Sequence, residues 1–314
     1  MKHKLRNTAV LSALAISGLH LFNKYIIASS TIKDLLSDHS GNYYSWRFGK
    51  VYYRKSGEGK PLLLIHDLSV DSSSYEWSKL EQKLAKEYTV YTLDLPGCGR
   101  SDKPNLTYTN FFYVQLINEF ITKVIKSRTN VAATGLSGSF VVMACNSNPD
   151  LYDKLILINP ENLQALNQIP GKYSKITKLL LDCPIIGTTL YHLVTNKNVI
   201  DHVFLEKYFY NHSAVKKHHL AAYHESAHKV ESGGKYLFSS LRGHYLNLNI
   251  AHALKKIDNS IFIIGGKHEP YIQSTIDSYT ALNPAIETAI IDKTKHLPQL
   301  EAPEKVYHLI RIYL

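Results

Sequence analysis

The stretch Val131-Ala132-Ala133-Thr134-Gly135-Leu136-Ser137-Gly138-Ser139 decides the fold. It begins as a short apolar strand and ends as the opening of a helix, with Ser137 at the tight turn between them. Gly135 and Ser139 flank that serine at a spacing of two. The spacing has a physical reason: a sharp turn drives the strand end against the helix start, and only small neighbours allow the approach. The helix N-terminus behind the serine favours developing negative charge. An ordinary serine cap is the competing explanation, because serine favours that position anyway.

The same rhythm continues on both sides. Pro61 to Ile65 is a continuous apolar run, as expected of a strand buried on both faces. Tyr88 to Leu93, Leu155 to Ile158, Ile261 to Ile264 and Thr288 to Ile291 read as further strands. Helical spacing fills Ser72 to Lys86, Tyr108 to Ile125, Ser139 to Asn146 and the end from Pro303. A hairpin around Phe48-Gly49-Lys50 opens the series. Strands alternating with helices predict an α/β fold, a mostly parallel sheet covered on both faces. Residues 161–249 break the pattern. They hold helical segments, no convincing strand, and eight of the sixteen histidines, so a helical cap inserted into a core of 42–160 and 250–314 is expected.

The 314 residues, 45% hydrophobic, exclude disorder and collagen-like repeats. Three scattered cysteines exclude a disulfide framework. Residues 1–30 start with Lys2, Lys4 and Arg6 and continue into an apolar run from Thr8 to Phe22. Fifteen residues are short of the roughly 20 that span a bilayer. The basic start still points to an anchor at a membrane surface rather than a packed helix or cleaved signal. The net charge of +10 is unevenly spread. Residues 1–60 carry ten basic and three acidic side chains, and 161–250 carry ten and six. Residues 61–160 have nine and ten, and 251–314 seven and seven. A near-neutral body disfavours a nucleic-acid groove on the core and fits a membrane-facing arm on an otherwise cytoplasmic protein.

Two further carboxylates and a histidine follow strand ends. Leu62 to Leu68 ends a strand with His66-Asp67-Leu68, a turn able to aim a backbone N–H at an oxyanion. Glu269 follows Ile261 to Ile264, and His296 follows Thr288 to Ile291. Strand ends share one edge in an open α/β sheet, so Ser137, Glu269 and His296 can converge. Glu161, after Leu155 to Ile158, is an alternative acid.

With these residues in order, the chain resembles the α/β-hydrolase superfamily, specifically its capped serine hydrolases, from about Asn42 onward. Leu93-Asp94-Leu95-Pro96-Gly97-Cys98-Gly99-Arg100-Ser101 and His296-Leu297-Pro298 are similar to other signatures of that family. The resemblance implies an esterase-like enzyme with Ser137 as nucleophile, His296 as base and Glu269 as acid. Backbone N–H groups of Leu68 and Gly138 would form the oxyanion hole. His66 and Asp94 are expected to brace loops. No cofactor is implied, and the substrate is a small acyl compound, apolar or amphipathic. The family usually has glycine where Asp67 stands, and a carboxylate beside an oxyanion hole is counterproductive, so Asp67 is expected to point away. Serine disfavours epoxide hydrolase or dehalogenase chemistry, for which the family uses Asp. Two rivals remain: a non-catalytic binding protein on this fold, and a zinc hydrolase built on His224-Glu225-x-x-His228. Glu231 is a candidate third ligand for the latter.

Overall fold

A computed structural model describes residues 2–37, 40–230 and 233–314. Eight strands form one sheet in the order β1-β2-β4-β3-β5-β6-β7-β8. The hairpin β1 (Asn42–Trp46) and β2 (Gly49–Ser56) is antiparallel, and β2 runs antiparallel to β4 (Tyr88–Leu93). From there β3 (Lys60–Ile65), β5 (Thr129–Thr134), β6 (Tyr152–Ile158), β7 (Ser260–Gly266) and β8 (Glu287–Ile291) are all parallel.

Apolar runs without alternation are what a doubly covered sheet requires. Leu63, Ile65, Val131, Ala133, Leu155 and Leu157 pack on one face, under the helices Asn110–Phe120 and Ser137–Ser147. Leu62, Leu64, Ala132, Ile156, Phe262 and Ile264 pack on the other, against Trp77, Leu80 and the last helix, Pro303–Tyr313. With both faces sealed, only the carboxyl ends of the strands are left to carry a site.

One expected element is different. The helix predicted over Ser72 to Lys86 is a 3-10 turn, Ser74–Trp77, and a separate single turn, Glu81–Leu84. The serines explain it, since short hydroxyl side chains offer the backbone alternatives to a helix. Ser73 Oγ accepts from Tyr75 N at 3.4 Å, and Ser74 N donates to Asp94 Oδ1 at 2.8 Å.

Between β6 and β7 the chain is helical, with the longer helices Ser174–Asp182, Ile186–Val194, Lys217–His228 and Gly234–Arg242. Ile200, Phe204, Phe209 and Tyr223 from this segment cluster with Leu297 and Leu300, tying the cap to the loop that carries His296. The amino-terminal helix, Lys2–Thr31, is exposed over most of its length and touches the cap near its end. There Asn23 Nδ2 donates to Ile185 O at 3.3 Å and to Thr189 Oγ1 at 3.1 Å. This helix is long and apolar enough to cross a membrane by length and composition, a test that signal sequences also pass.

The loop after β4 is braced by a buried ion pair. Asp94 accepts from Arg100 Nε at 2.7 Å and from Arg100 N at 2.8 Å, and its side chain is fully buried. The Arg100 charge outweighs burial and holds the Asp94 carboxyl well below the usual carboxylate range. Asp94→Ala removes the buried carboxylate that faces the guanidinium, which keeps its bonds to Leu36 O and Ser74 Oγ. A loss of about 3–5 kcal/mol in chemical denaturation is expected, and a loss below 1 kcal/mol would show that the pair does not brace the loop.

Candidate active site

The carboxyl end of β3 delivers His66 and Asp67. His66 is fully buried; its Nδ1 donates to Asp67 O at 2.7 Å, and its Nε2 accepts from Leu95 N at 2.9 Å. Burial lowers its pKa, so the ring is a neutral strut between two loops. Asp67 N donates to Glu76 Oε2 at 3.2 Å, while Gln299 Nε2 donates to Glu76 Oε1 at 2.6 Å. Burial, with the Asp67 charge adding to it, pushes Glu76 up to about 8, so it is protonated at neutral pH.

The turn after β5 has its apex at Gly135, not at Ser137. Gly135 has φ +56°, a left-handed conformation that favours glycine, while Leu136 is already right-handed and Ser137 opens the helix. A Cβ at position 135 would fall 2.2 Å from Asp67 Oδ1. The place of a side chain at the apex is therefore taken by the Asp67 carboxylate, entering from the neighbouring strand end. Asp67 Oδ1 accepts from Leu68 N at 2.8 Å and Leu136 N at 2.9 Å, the two donors that face the apex. Its Oδ2 lies 3.1 Å from His296 Nε2. On the far side of the ring, His296 Nδ1 lies 3.1 Å from Glu269 Oε1.

Three expectations are thereby corrected. Ser137 is not beside His296: it is fully buried and its Oγ donates to His66 O at 2.7 Å. Gly138 N is not free to hold an oxyanion, because it donates to Gly135 O at 3.2 Å inside the turn; it is Leu136 N that donates, with Leu68 N, to Asp67 Oδ1. Asp67 points inward. The physical reason is common to all three: the apex sits two residues earlier than expected, at a glycine whose missing side chain leaves room for a carboxylate. His296 and Glu269 are together as the sequence suggested. Glu161 borders the same small recess of about 80 Å³ but bonds its own neighbour, Asn162 N, at 3.2 Å. Burial raises its pKa, and the Asp67 charge adds to this.

Two carboxylates on one imidazole set its charge. Burial alone would lower His296, but the hydrogen bonds and charges of Asp67 and Glu269 carry it well above its usual value. Burial acts to raise Asp67, and the His296 contact together with the two backbone N–H groups overrides it and lowers its pKa. Both shifts favour a charged pair, the Asp67 carboxylate beside a protonated His296. An imidazolium has no lone pair with which to deprotonate a serine. From the cap, Tyr208 stacks on His296 with ring centroids 5.4 Å apart. Tyr223 Oη is buried without a hydrogen-bond partner among the described residues. Burial pushes its phenol up.

The zinc arrangement does not form. Glu225 is spent on the amino-terminal arm, accepting from Leu35 N at 2.7 Å and Leu36 N at 3.1 Å. His228 Nδ1 donates to His224 O at 2.7 Å. Among the described residues no group of three or more His, Cys, Asp or Glu is placed to hold a metal; Glu231 lies outside them.

The missed residues are Asp67, Gly135 and Leu136, and a signal for them existed. Ala133-x-Gly135-x-Ser137 satisfies the small-flank rule as well as Gly135-x-Ser137-x-Ser139 does, and Asp67 stands where glycine is usual.

A family model described as the alpha/beta hydrolase family matches residues 62–309. Among curated relatives, an uncharacterised protein of Mycobacterium tuberculosis is 31% identical over 107 residues, covering 34% of this chain and 31% of its own. The match thus spans less than a third of that relative. A soluble epoxide hydrolase of Corynebacterium sp. is 23% identical over 267 residues, covering 82% of this chain and 91% of its own. Among solved structures, a serine hydrolase involved in carbazole degradation superposes with a TM-score of 0.71 at 15% identity, covering 87% and 97%. At that identity the likeness shows the fold alone.

A pH dependence follows from the two opposed shifts. His296 is raised above its ordinary 6.5, so its contribution to stability is complete below that pH and lost as pH rises through the folded value. Asp67 is lowered below 3.8, so its contribution is present above that pH and lost as pH falls through the folded value. His296→Gln should therefore cost about 3 kcal/mol near pH 5.5, in urea denaturation, with the gap to the unmutated chain closing toward alkaline pH. A gap constant from pH 5 to 10 would contradict the imidazolium.

Proposed function

Because the chain belongs to the alpha/beta hydrolase family, we propose that it is a hydrolase whose nucleophile is Asp67, acting with His296 and Glu269 on an electrophilic saturated carbon, with an epoxide as the favoured substrate class. The observation that carries this is the Asp67 carboxylate in the apex position, one oxygen held by two backbone N–H groups and the other directed at His296. The side chains of Asp67 and His296 keep 15% and 17% of their surface exposed.

Each step balances. Asp67 Oδ2 attacks the ring carbon, the carbon–oxygen bond breaks, and the released oxygen takes the proton on His296 Nε2. The product is an alkyl ester of Asp67 and a neutral imidazole. Esterification removes one of the two charges that held the proton on His296, so the ring becomes a base once the ester has formed. Water, deprotonated by His296, adds to Asp67 Cγ, and the oxyanion stays on Oδ1 between Leu68 N and Leu136 N, worth about 3 kcal/mol per donor. Collapse expels the diol oxygen, which is protonated by His296. The acid proton of Asp67 then returns to the ring. Glu269 orients the imidazole throughout. Tyr223 Oη, a buried hydroxyl awaiting an acceptor, is suited to hold the substrate oxygen.

A carboxylate nucleophile disfavours ordinary esters as substrates, because attack on their carbonyl yields a mixed anhydride higher in energy than the ester. Carboxylic ester cleavage through Ser137 would need that hydroxyl to leave His66 O and a neutral His296 to receive its proton. The epoxide hydrolase relative adds support of a second kind.

The test is a single turnover of a phenyl-substituted oxirane in ¹⁸O water with enzyme in excess. The peptide bearing Asp67 should gain one ¹⁸O, Asp67→Asn should lose roughly 10³-fold or more in rate, and Ser137→Ala should stay within a few-fold. Turnover without label in that peptide, or fluorophosphonate labelling of Ser137, would overturn the assignment. Absence of any turnover would favour a non-catalytic binding protein.

A further inference from the structure

A cavity of about 700 Å³ lies away from this site, between the amino-terminal helix and the cap. Its walls include Asn23 and Ile27 from the helix, Ile185 and Thr188 from the cap, and two lysines, Lys103 and Lys235. Both lysines are more than nine-tenths buried, at 6% and 5% exposure. Neither ammonium meets a carboxylate among the described residues. Lys103 Nζ donates to Ser226 O at 2.7 Å; Lys235 Nζ donates to Thr188 Oγ1 at 3.0 Å and to Cys183 O at 3.3 Å. The acid nearest in charge to Lys235 is Asp182, which is engaged by Lys178 Nζ and by Ser239 Oγ. Burial pushes Lys103 down to about 8.

Buried unpaired charge is costly, and two of one sign on a single cavity are costlier. Ile27, Ile185 and Val230 supply apolar wall beside the polar His20, Lys24 and Asn105. Ile185 has φ +64°, a strained conformation for a β-branched residue, and Asn23 Nδ2 holds its carbonyl there. Just outside, Leu21, Phe22 and Ile186 are exposed, which extends an apolar path along the helix.

We propose that this cavity binds a single-chain anionic amphiphile, its carboxylate or phosphate headgroup between Lys103 and Lys235 and its alkyl chain against Ile27, Ile185 and Val230. The anion supplies the missing counter-charge, and the chain covers apolar wall that the helix alone leaves open. A free fatty acid and an alkyl phosphate share this chemistry. The site is independent of the Asp67 reaction.

Calorimetric titration of the full chain distinguishes the sources, using laurate, dodecyl phosphate, inorganic phosphate and the neutral dodecyl maltoside below their micellar concentrations. Saturable binding of laurate or dodecyl phosphate is expected, the tighter of the two identifying the headgroup. Lys103→Gln with Lys235→Gln should weaken it at least tenfold. Equal binding of dodecyl maltoside, tight binding of inorganic phosphate alone, or unchanged affinity in the double variant would overturn the proposal. Should that variant fail to fold, Ile27→Trp, which fills the chain's path and leaves both lysines, decides the matter: retained laurate affinity overturns it. A photoactivatable laurate on the unmutated chain should label the helix and Ile186–Val194; labelling only around Asp67 would also overturn it.

Discussion

Everything at the strand ends is arranged around one carboxylate. Asp67 Oδ1 collects the N–H of its own successor and that of Leu136, and Oδ2 meets His296, so a single side chain joins β3, the turn after β5 and the loop after β8. A buried carboxylate in that position is tolerable only when its charge is compensated. Two amide dipoles and an imidazolium do so, and Glu269 stabilises the imidazolium in turn. Below it, Glu76 is held neutral by burial and by that same charge, so the pocket does not gather a further anion.

Gly135 and Asp67 are coupled by space. The turn needs a left-handed residue, and with Asp67 in place any Cβ there would overlap the carboxylate at 2.2 Å. A side chain at the apex and a carboxylate after His66 are therefore mutually exclusive, and the chain carries the second arrangement. In the proposed reaction the oxygen in front of the two N–H donors and the histidine therefore comes from a different strand than the apex. Parallel strands make such a transfer feasible, because their carboxyl ends lie one sheet spacing apart, about 5 Å.

The architecture was legible for the same reason that it is robust. Runs such as Leu62 to Ile65 and Leu155 to Ile158 lack alternation because both faces are covered, and period is a strong signal. His296 and Glu269 were legible because each follows a strand at the shared edge. The apex was not. Small residues occupy 133, 135, 137 and 139 alike, so composition accepts two registers of the turn, and only the backbone angle at Gly135 separates them. The direction of Asp67 was misjudged by treating the oxyanion hole as a place that repels carboxylates, when its donors stabilise one just as they stabilise an oxyanion. Likewise, His224-Glu225-x-x-His228 has metal-ligand spacing, but its glutamate is consumed by two backbone N–H groups of the arm, a tertiary contact no local pattern records.

That contact also changes the meaning of the chain's basic excess. Residues 1–41 carry five basic and two acidic side chains, the hairpin over 42–60 carries five and one, and the cap ten and six, so arm and cap are both basic. The two are joined physically, because Glu225 clamps the segment after the amino-terminal helix and Asn23 keys the helix to the strained Ile185. Self-repulsion between two basic segments opposes such docking. Screening weakens that repulsion at the exposed lysines more than at the buried Lys103 and Lys235, which line a common cavity. The docked arrangement therefore gains most from an anion at that one place.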